Sequence, residues 1–92
     1  MMNSYKPGQS IYFSTTLTVL GVDTDPATLS LLLHPPSGAN IAVVLTRDSL
    51  GVYHGTTTIP ITAAPGIWVE RWQSTAPDGL VERLFVIEAL DF

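Results

Sequence analysis

Two imidazoles, His34 and His54, are the only ones in the chain, and cysteine is absent. A zinc site needs three or four ligands, and here it would have to recruit carboxylates scattered at no recognisable spacing. The histidines are therefore read as partly exposed strand or turn residues. Asp23-Thr24-Asp25 is the densest acidic spot and echoes the start of a calcium loop, but that loop's glycine and distal glutamate are missing. A turn with Asx-type backbone hydrogen bonds is the better reading. Serine nucleophiles need a base and an orienting carboxylate, commonly on a G-x-S-x-G elbow, and no such elbow occurs. Glu70, Glu82 and Glu88 could supply a glycosidase pair only within a cleft that so small a chain has little room to build. They are read instead as solvent-facing or salt-bridging residues. No glycine-rich phosphate loop precedes a helix. The expectation is a non-enzyme with no catalytic residue, no cofactor and no metal.

The aromatic residues leave more open. Trp68 and Trp72 have the flat surface that stacks on sugars or bases. Trp68 follows Pro65-Gly66-Ile67 at a strand start and is assigned to the core. Trp72, with Gln73 beside it, stands between core and partner contact. Asp48-Ser49-Leu50-Gly51-Val52-Tyr53 reads as a turn followed by an inward tyrosine whose hydroxyl reaches backbone, in the manner of a tyrosine corner. With 4 Lys+Arg against 8 Asp+Glu, the net charge is -4, the opposite of the basic footprint that phosphate binding requires. Nucleic acid is not an expected partner. The apolar share of 46% excludes a disordered chain. The longest apolar run, Ile41 to Leu45, falls far short of the ~20 residues of a membrane helix, and Met1 to Gly8 lacks an apolar segment. A soluble, untargeted product with no membrane partner is expected.

The elements that must hold these residues are strands. A length of 92 residues allows one domain, 1–92. Thr, Val and Ile together supply 25 residues, and their branched side chains favour a pleated surface. Stops at Pro7-Gly8, 21–26, 35–38, 48–51, Pro65-Gly66 and 77–79 leave six strands: 10–20, 28–34, 40–46, 52–61, 67–74 and 80–89. Ile11, Phe13, Leu17 and Val19 share one face of the first strand, Leu29, Leu31 and Leu33 one face of the second, and Ile41, Val43 and Leu45 one face of the third. Asp25-Pro26 could instead start a short helix carrying Leu29, Leu32 and Leu33; the strand is preferred. Pro35-Pro36-Ser37-Gly38 suits a type I turn closing a hairpin between the second and third strands. Pro60 implies an edge or a bulge. Glu70 shares a face with Trp68 and Trp72, and Arg83 shares one with Val81, Phe85 and Ile87, so the two could meet as a partly buried pair. Met1 to Ser4 and Leu90 to Phe92 are the expected mobile ends. The predicted fold class is all-β, an immunoglobulin-like antiparallel β-sandwich, with a small barrel as the alternative. Its predicted core contains Phe13, Leu31, Tyr53, Trp68 and Phe85.

Taken in order, Tyr5-Lys6-Pro7-Gly8-Gln9, Asp25-Pro26-Ala27-Thr28-Leu29, Pro35-Pro36-Ser37-Gly38, Gly51-Val52-Tyr53-His54, Pro65-Gly66-Ile67-Trp68-Val69-Glu70-Arg71-Trp72 and Phe85-Val86-Ile87 span nearly the whole chain. The series resembles small immunoglobulin-like proteins encoded in tailed-phage structural gene clusters. There a proline-glycine lead-in, a D-P-x-T segment, a P-x-G hairpin, a G-x-Y strand and a G-x-W-x-x-R-W strand recur. One departure is Ile67, where a small threonine is commoner. The opening Tyr5 to Gln9 is also similar to the first strand of macroglobulin-type and bacterial surface sandwiches, but the start at Met1 without a signal favours a free-standing phage protein. The resemblance implies a virion structural protein made in the host cytoplasm, and above all a capsid decoration (cement) protein held to the major capsid protein or other virion proteins. Self-association on the virion is a further implied contact. A neck or tail component is the alternative within that class, and a carbohydrate or host-surface binding module the alternative outside it. Trp72, Pro36 and Asp78 are the candidate partner contacts.

Overall fold

The computed structural model describes residues 3–89. Period-two alternation and β-branched content give ten strands and, among the described residues, no helix: β1 (Asn3–Tyr5), β2 (Ser10–Thr16), β3 (Thr18–Val19), β4 (Val22–Asp23), β5 (Thr28–His34), β6 (Ile41–Val43), β7 (Thr46–Ser49), β8 (Val52–Thr58), β9 (Gly66–Thr75) and β10 (Gly79–Ile87). The larger sheet has the order β1-β10-β9-β5-β6 and the smaller the order β2-β8-β7, while β3 and β4 form a separate hairpin. All neighbours are antiparallel except β1 and β10, which run parallel with Asn3 opposite Phe85.

Both sheets contribute to one core of Ile11, Phe13, Leu31, Leu33, Val43, Ile59, Trp68, Trp72, Phe85 and Ile87. Phe13 on the smaller sheet and Phe85 on the larger bring their ring centroids to 5.9 Å. Trp68 also lies 5.9 Å from Phe85, and its indole N–H donates to the Ala64 carbonyl at 2.8 Å, which satisfies a polar group that burial would otherwise leave costly. At Gly55 on β8 the segment that follows β6 packs closely. A Cβ there would lie 2.7 Å from Val43 Cγ1 and 2.9 Å from the Val44 carbonyl, so only glycine fits.

Several boundaries differ from the sequence expectation. The strand expected over 10–20 stops at Thr16, because the Leu17 N–H donates to Gly51 O and the Leu17 carbonyl accepts from Thr24 N–H. The β3–β4 hairpin follows, turning at Leu20 and Gly21, which both have positive φ, as a two-residue primed turn requires. The strand expected over 40–46 divides in two. Its first part, β6, pairs with β5 in the larger sheet, and after Val43 the chain crosses to the smaller sheet as β7. The hairpin between β5 and β6 is present, but Leu33 opposite Ile41 is its last pair, and 35–40 form a longer loop that bends at 36–38 without a hydrogen-bonded turn. Thr28–His34 is a strand and not a helix. Pro60 lies just beyond β8, where no ladder donor is needed. Asn3 and Ser4, expected to be mobile, belong to β1; Met1, Met2 and Leu90 to Phe92 lie outside the described residues.

Candidate functional site

The acidic spot before β5 folds into a tertiary latch. Asp25 accepts from Arg47 Nε through both oxygens at 3.1 Å, from the Gly51 N–H at 2.8 Å and from the Tyr53 hydroxyl at 3.1 Å, with Arg47 Nη2 at 2.9 Å. These donors, the Arg47 hydrogen bond foremost and the Gly51 amide next, hold its carboxyl down to about 2. The Tyr53 phenol is pushed up, by burial first and by its bond to Asp25 second. This corrects two expectations. Asp25 is engaged by the distant β7–β8 turn and not by a local Asx turn. Tyr53 stands half-buried beside the core and outside it, its hydroxyl on a carboxylate and not on backbone, because the latch holds it at the end of β8. Of the other predicted core residues, Phe13, Leu31, Trp68 and Phe85 are all buried.

The candidate contacts Trp72, Pro36 and Asp78 do not gather. Trp72 is only 3% exposed, a correction that follows from parity: on β9 the even positions face inward, so the face that buries Trp68 also buries Trp72. Gln73 points to the other face. The Trp72 indole N–H donates to Glu70 Oε2. Pro36 and Asp78 are exposed, but β5 and β9 pair from Thr28 opposite Thr75 to His34 opposite Val69, which sets the two at opposite ends of the larger sheet. The Asp78 carboxylate accepts the Ala76 N–H at 3.3 Å within its own turn. His34 Nδ1 bonds Asn40 Oδ1, and His54 Nδ1 meets the Asp48 carboxylate at 2.7 and 2.8 Å. Glu70 and Arg83 are register partners, as their shared faces implied, with Arg83 Nη1 3.7 Å from Glu70 Oε2. Among the described residues no three or more His, Cys, Asp or Glu groups converge as metal ligands do.

What the structure does assemble is an apolar strip on the outer face of the larger sheet. On β9 and β10, Ile67 lies opposite Val86 and Val69 opposite Leu84. Ile67 and Leu84 are 51% and 50% exposed, and the two valines are half-buried. A sheet with one face on the core ordinarily turns polar residues to water. Here polar groups form only the border. Arg71 and Glu82 close one side with Nε and Nη2 both 2.8 Å from Glu82 Oε2, and the Ser4 hydroxyl donates to Glu88 at 3.2 Å on another. An apolar centre with a paired, neutral rim is the anatomy of a protein-binding patch. Reading the sequence for one buried face missed this strip. Its signal was the consecutive apolar residues Ile67-Trp68-Val69 and Leu84-Phe85-Val86-Ile87, which leave neither face polar.

Compared with known proteins, the chain matches no protein-family profile and no curated protein.

Proposed function

We propose that the chain is an immunoglobulin-like sandwich without catalytic function that serves as a structural component of a phage virion, decorating the capsid. The observation that carries the binding role is the exposed strip of Ile67, Val69, Leu84 and Val86, an apolar area on a sheet face that water alone would not favour. Two sheets sharing one core, with the chain changing sheets between β6 and β7, support the immunoglobulin-like reading. The virion assignment rests on the resemblance of the ordered turn-and-core motifs. In this role the strip docks on the major capsid protein, and each copy bridges neighbouring shell subunits, so its binding energy opposes their separation by mass action.

Quantitative mass spectrometry of purified particles tests the reading. Hundreds of copies per particle are expected, together with loss of incorporation by a folded Ile67→Asp, Leu84→Asp double variant. Shells assembled without the protein are expected to form but to rupture more readily on heating or osmotic shock. A dozen or fewer copies would move the protein to the neck or tail. Complete absence from particles would defeat the virion assignment.

A further inference from the structure

The two sheets do not match in breadth, and where the smaller one ends a cleft of about 630 Å³ opens between β2 and β10, within the size range of small-molecule sites. Tyr12, Ser14, Glu70, Arg83 and Asn3 supply its polar and aromatic lining.

Tyr12 forms a fixed wall. Its ring stacks on the His54 imidazole at 5.2 Å and 18°, and the Asp48 carboxylate holds that imidazole through Nδ1. His54 belongs to β8, which flanks β2 on one side only, so it covers one face of the Tyr12 ring. The other face is not covered by β8, and Tyr12 is among the residues that line the cleft. Tyr12 is 62% exposed, and an aromatic ring already held in place loses little freedom when something stacks on it.

Glu70 and Arg83 provide the opposite chemistry on the same floor. Glu70 is more than nine-tenths buried, and its Oε2 is held from behind by the Trp72 indole. Its Oε1 accepts no hydrogen bond from a described residue. Since every sealed side-chain polar atom among those residues has a partner, Oε1 keeps some contact with solvent, and Glu70 is among the residues that line the cleft. Arg83 Nη1 stands 3.7 Å from Glu70, beyond hydrogen-bond reach, so its N–H groups remain available. The pair presents an acceptor beside donors with no net charge. Ionised ligands of either sign meet one repelling partner, whereas a neutral hydroxyl that donates to Glu70 can sit beside one that accepts from Arg83.

We propose that this cleft binds a neutral saccharide, with the C–H face of one sugar ring on Tyr12 and neighbouring hydroxyls on Glu70 and Arg83. Ser14 and Asn3 offer further hydroxyl and amide partners at the rim. This site is separate from the apolar strip, and the proposal does not depend on the virion assignment.

The test is titration of the full chain with neutral oligosaccharides of glucose, mannose, galactose and N-acetylglucosamine, followed by tryptophan fluorescence and by amide chemical-shift mapping. A sialylated oligosaccharide and an extended hexapeptide are run alongside. Saturable binding of at least one neutral series is expected, with shifts centred on β2 and β10. Tyr12→Ala should weaken it about tenfold, the scale of one lost aromatic stacking contact, while Tyr12→Phe retains it. Because Tyr12 is exposed, the alanine variant is expected to keep the wild-type circular dichroism spectrum. If it unfolds, the shift map on the unaltered chain decides in its place. No saturable binding by any neutral series, shifts centred elsewhere, binding of the sialylated sugar or peptide alone, or an unchanged affinity in folded Tyr12→Ala would each overturn the proposal.

Discussion

Trp72 and Glu70 offer the sharpest test of how this core tolerates a charge. Both side chains are buried, and the indole N–H donates to Glu70 Oε2, whereas the only cation near that carboxylate among the described residues, Arg83, is mostly in water and 3.7 Å away. The indole is therefore the chief internal donor to Glu70. Trp72→Phe removes that donor and part of the ring. The lost apolar area costs about 1 kcal/mol at ~25 cal/mol per Å², and a hydrogen bond to a charged group contributes about 1.5–3 kcal/mol, so the single substitution should cost about 2.5–4 kcal/mol. In a Glu70→Leu background the bond is already gone, and the same substitution should cost only the packing part. The expected coupling in the double-mutant cycle is therefore about 1.5–3 kcal/mol. Urea unfolding of the four proteins measures it, provided the dependence on urea concentration stays the same across them. Coupling below about 0.5 kcal/mol, the range in which independent sites add, would refute the reasoning and leave Trp72 held by packing alone.

Three further outcomes follow from the same contacts. Trp68→Ala should cost about 3–5 kcal/mol, close to the whole stability of a marginal domain; a loss below about 1 kcal/mol in denaturant melts would contradict its central position. Gly55→Ala should lower the melting temperature by at least about 4 °C, because the new methyl meets Val43 and the Val44 backbone and overpacking costs about 1–3 kcal/mol; an unchanged melt would show that β6 and β8 can separate freely. Asp25 has a folded value of about 2, below its ordinary 3.8, so the latch stabilises fully above about pH 4 and loses that contribution as the pH falls through 2. Asp25→Asn should therefore melt below wild type at pH 7, with the difference shrinking toward pH 2 in a thermal series; a constant difference would show that the charge of Asp25 is not what stabilises.

Local pattern carried the strands that alternate cleanly. Thr28–His34 is the strand that Leu29, Leu31 and Leu33 indicate, and Phe13, Leu31, Trp68 and Phe85 are buried as their parity requires. Trp72 follows the same parity, and the polar Gln73 that drew it toward the surface belongs to the opposite face. The change of sheet after Val43 was hidden because Ile41, Val43 and Leu45 keep their period through the crossing. β1 was hidden because three residues carry almost no period, and its partner lies at the far end of the chain. The Asp25 latch joins residues 22 to 28 positions apart, a closeness that spacing along the chain does not encode. The same holds for the cleft, since Tyr12 and Arg83 line it together only through the placement of two different sheets.

That placement also explains why two charges occupy an otherwise apolar face. Along β10 the inward positions are Val81, Arg83, Phe85 and Ile87; the first two are exposed and the last two buried. The change falls between Arg83 and Phe85, and Phe85 is the residue that meets Phe13 of the smaller sheet. Arg83 lies one step beyond that boundary and keeps its water. Glu70, opposite it on β9 and one strand further in, loses most of its own, and the Trp72 indole replaces part of what is lost. A charge on the inward face of a strand here marks the limit of the covering layer and not an error of period. Beyond that boundary Arg83 and Glu70 line an open cleft, where each keeps the solvent contact that Phe85 and Ile87 lose.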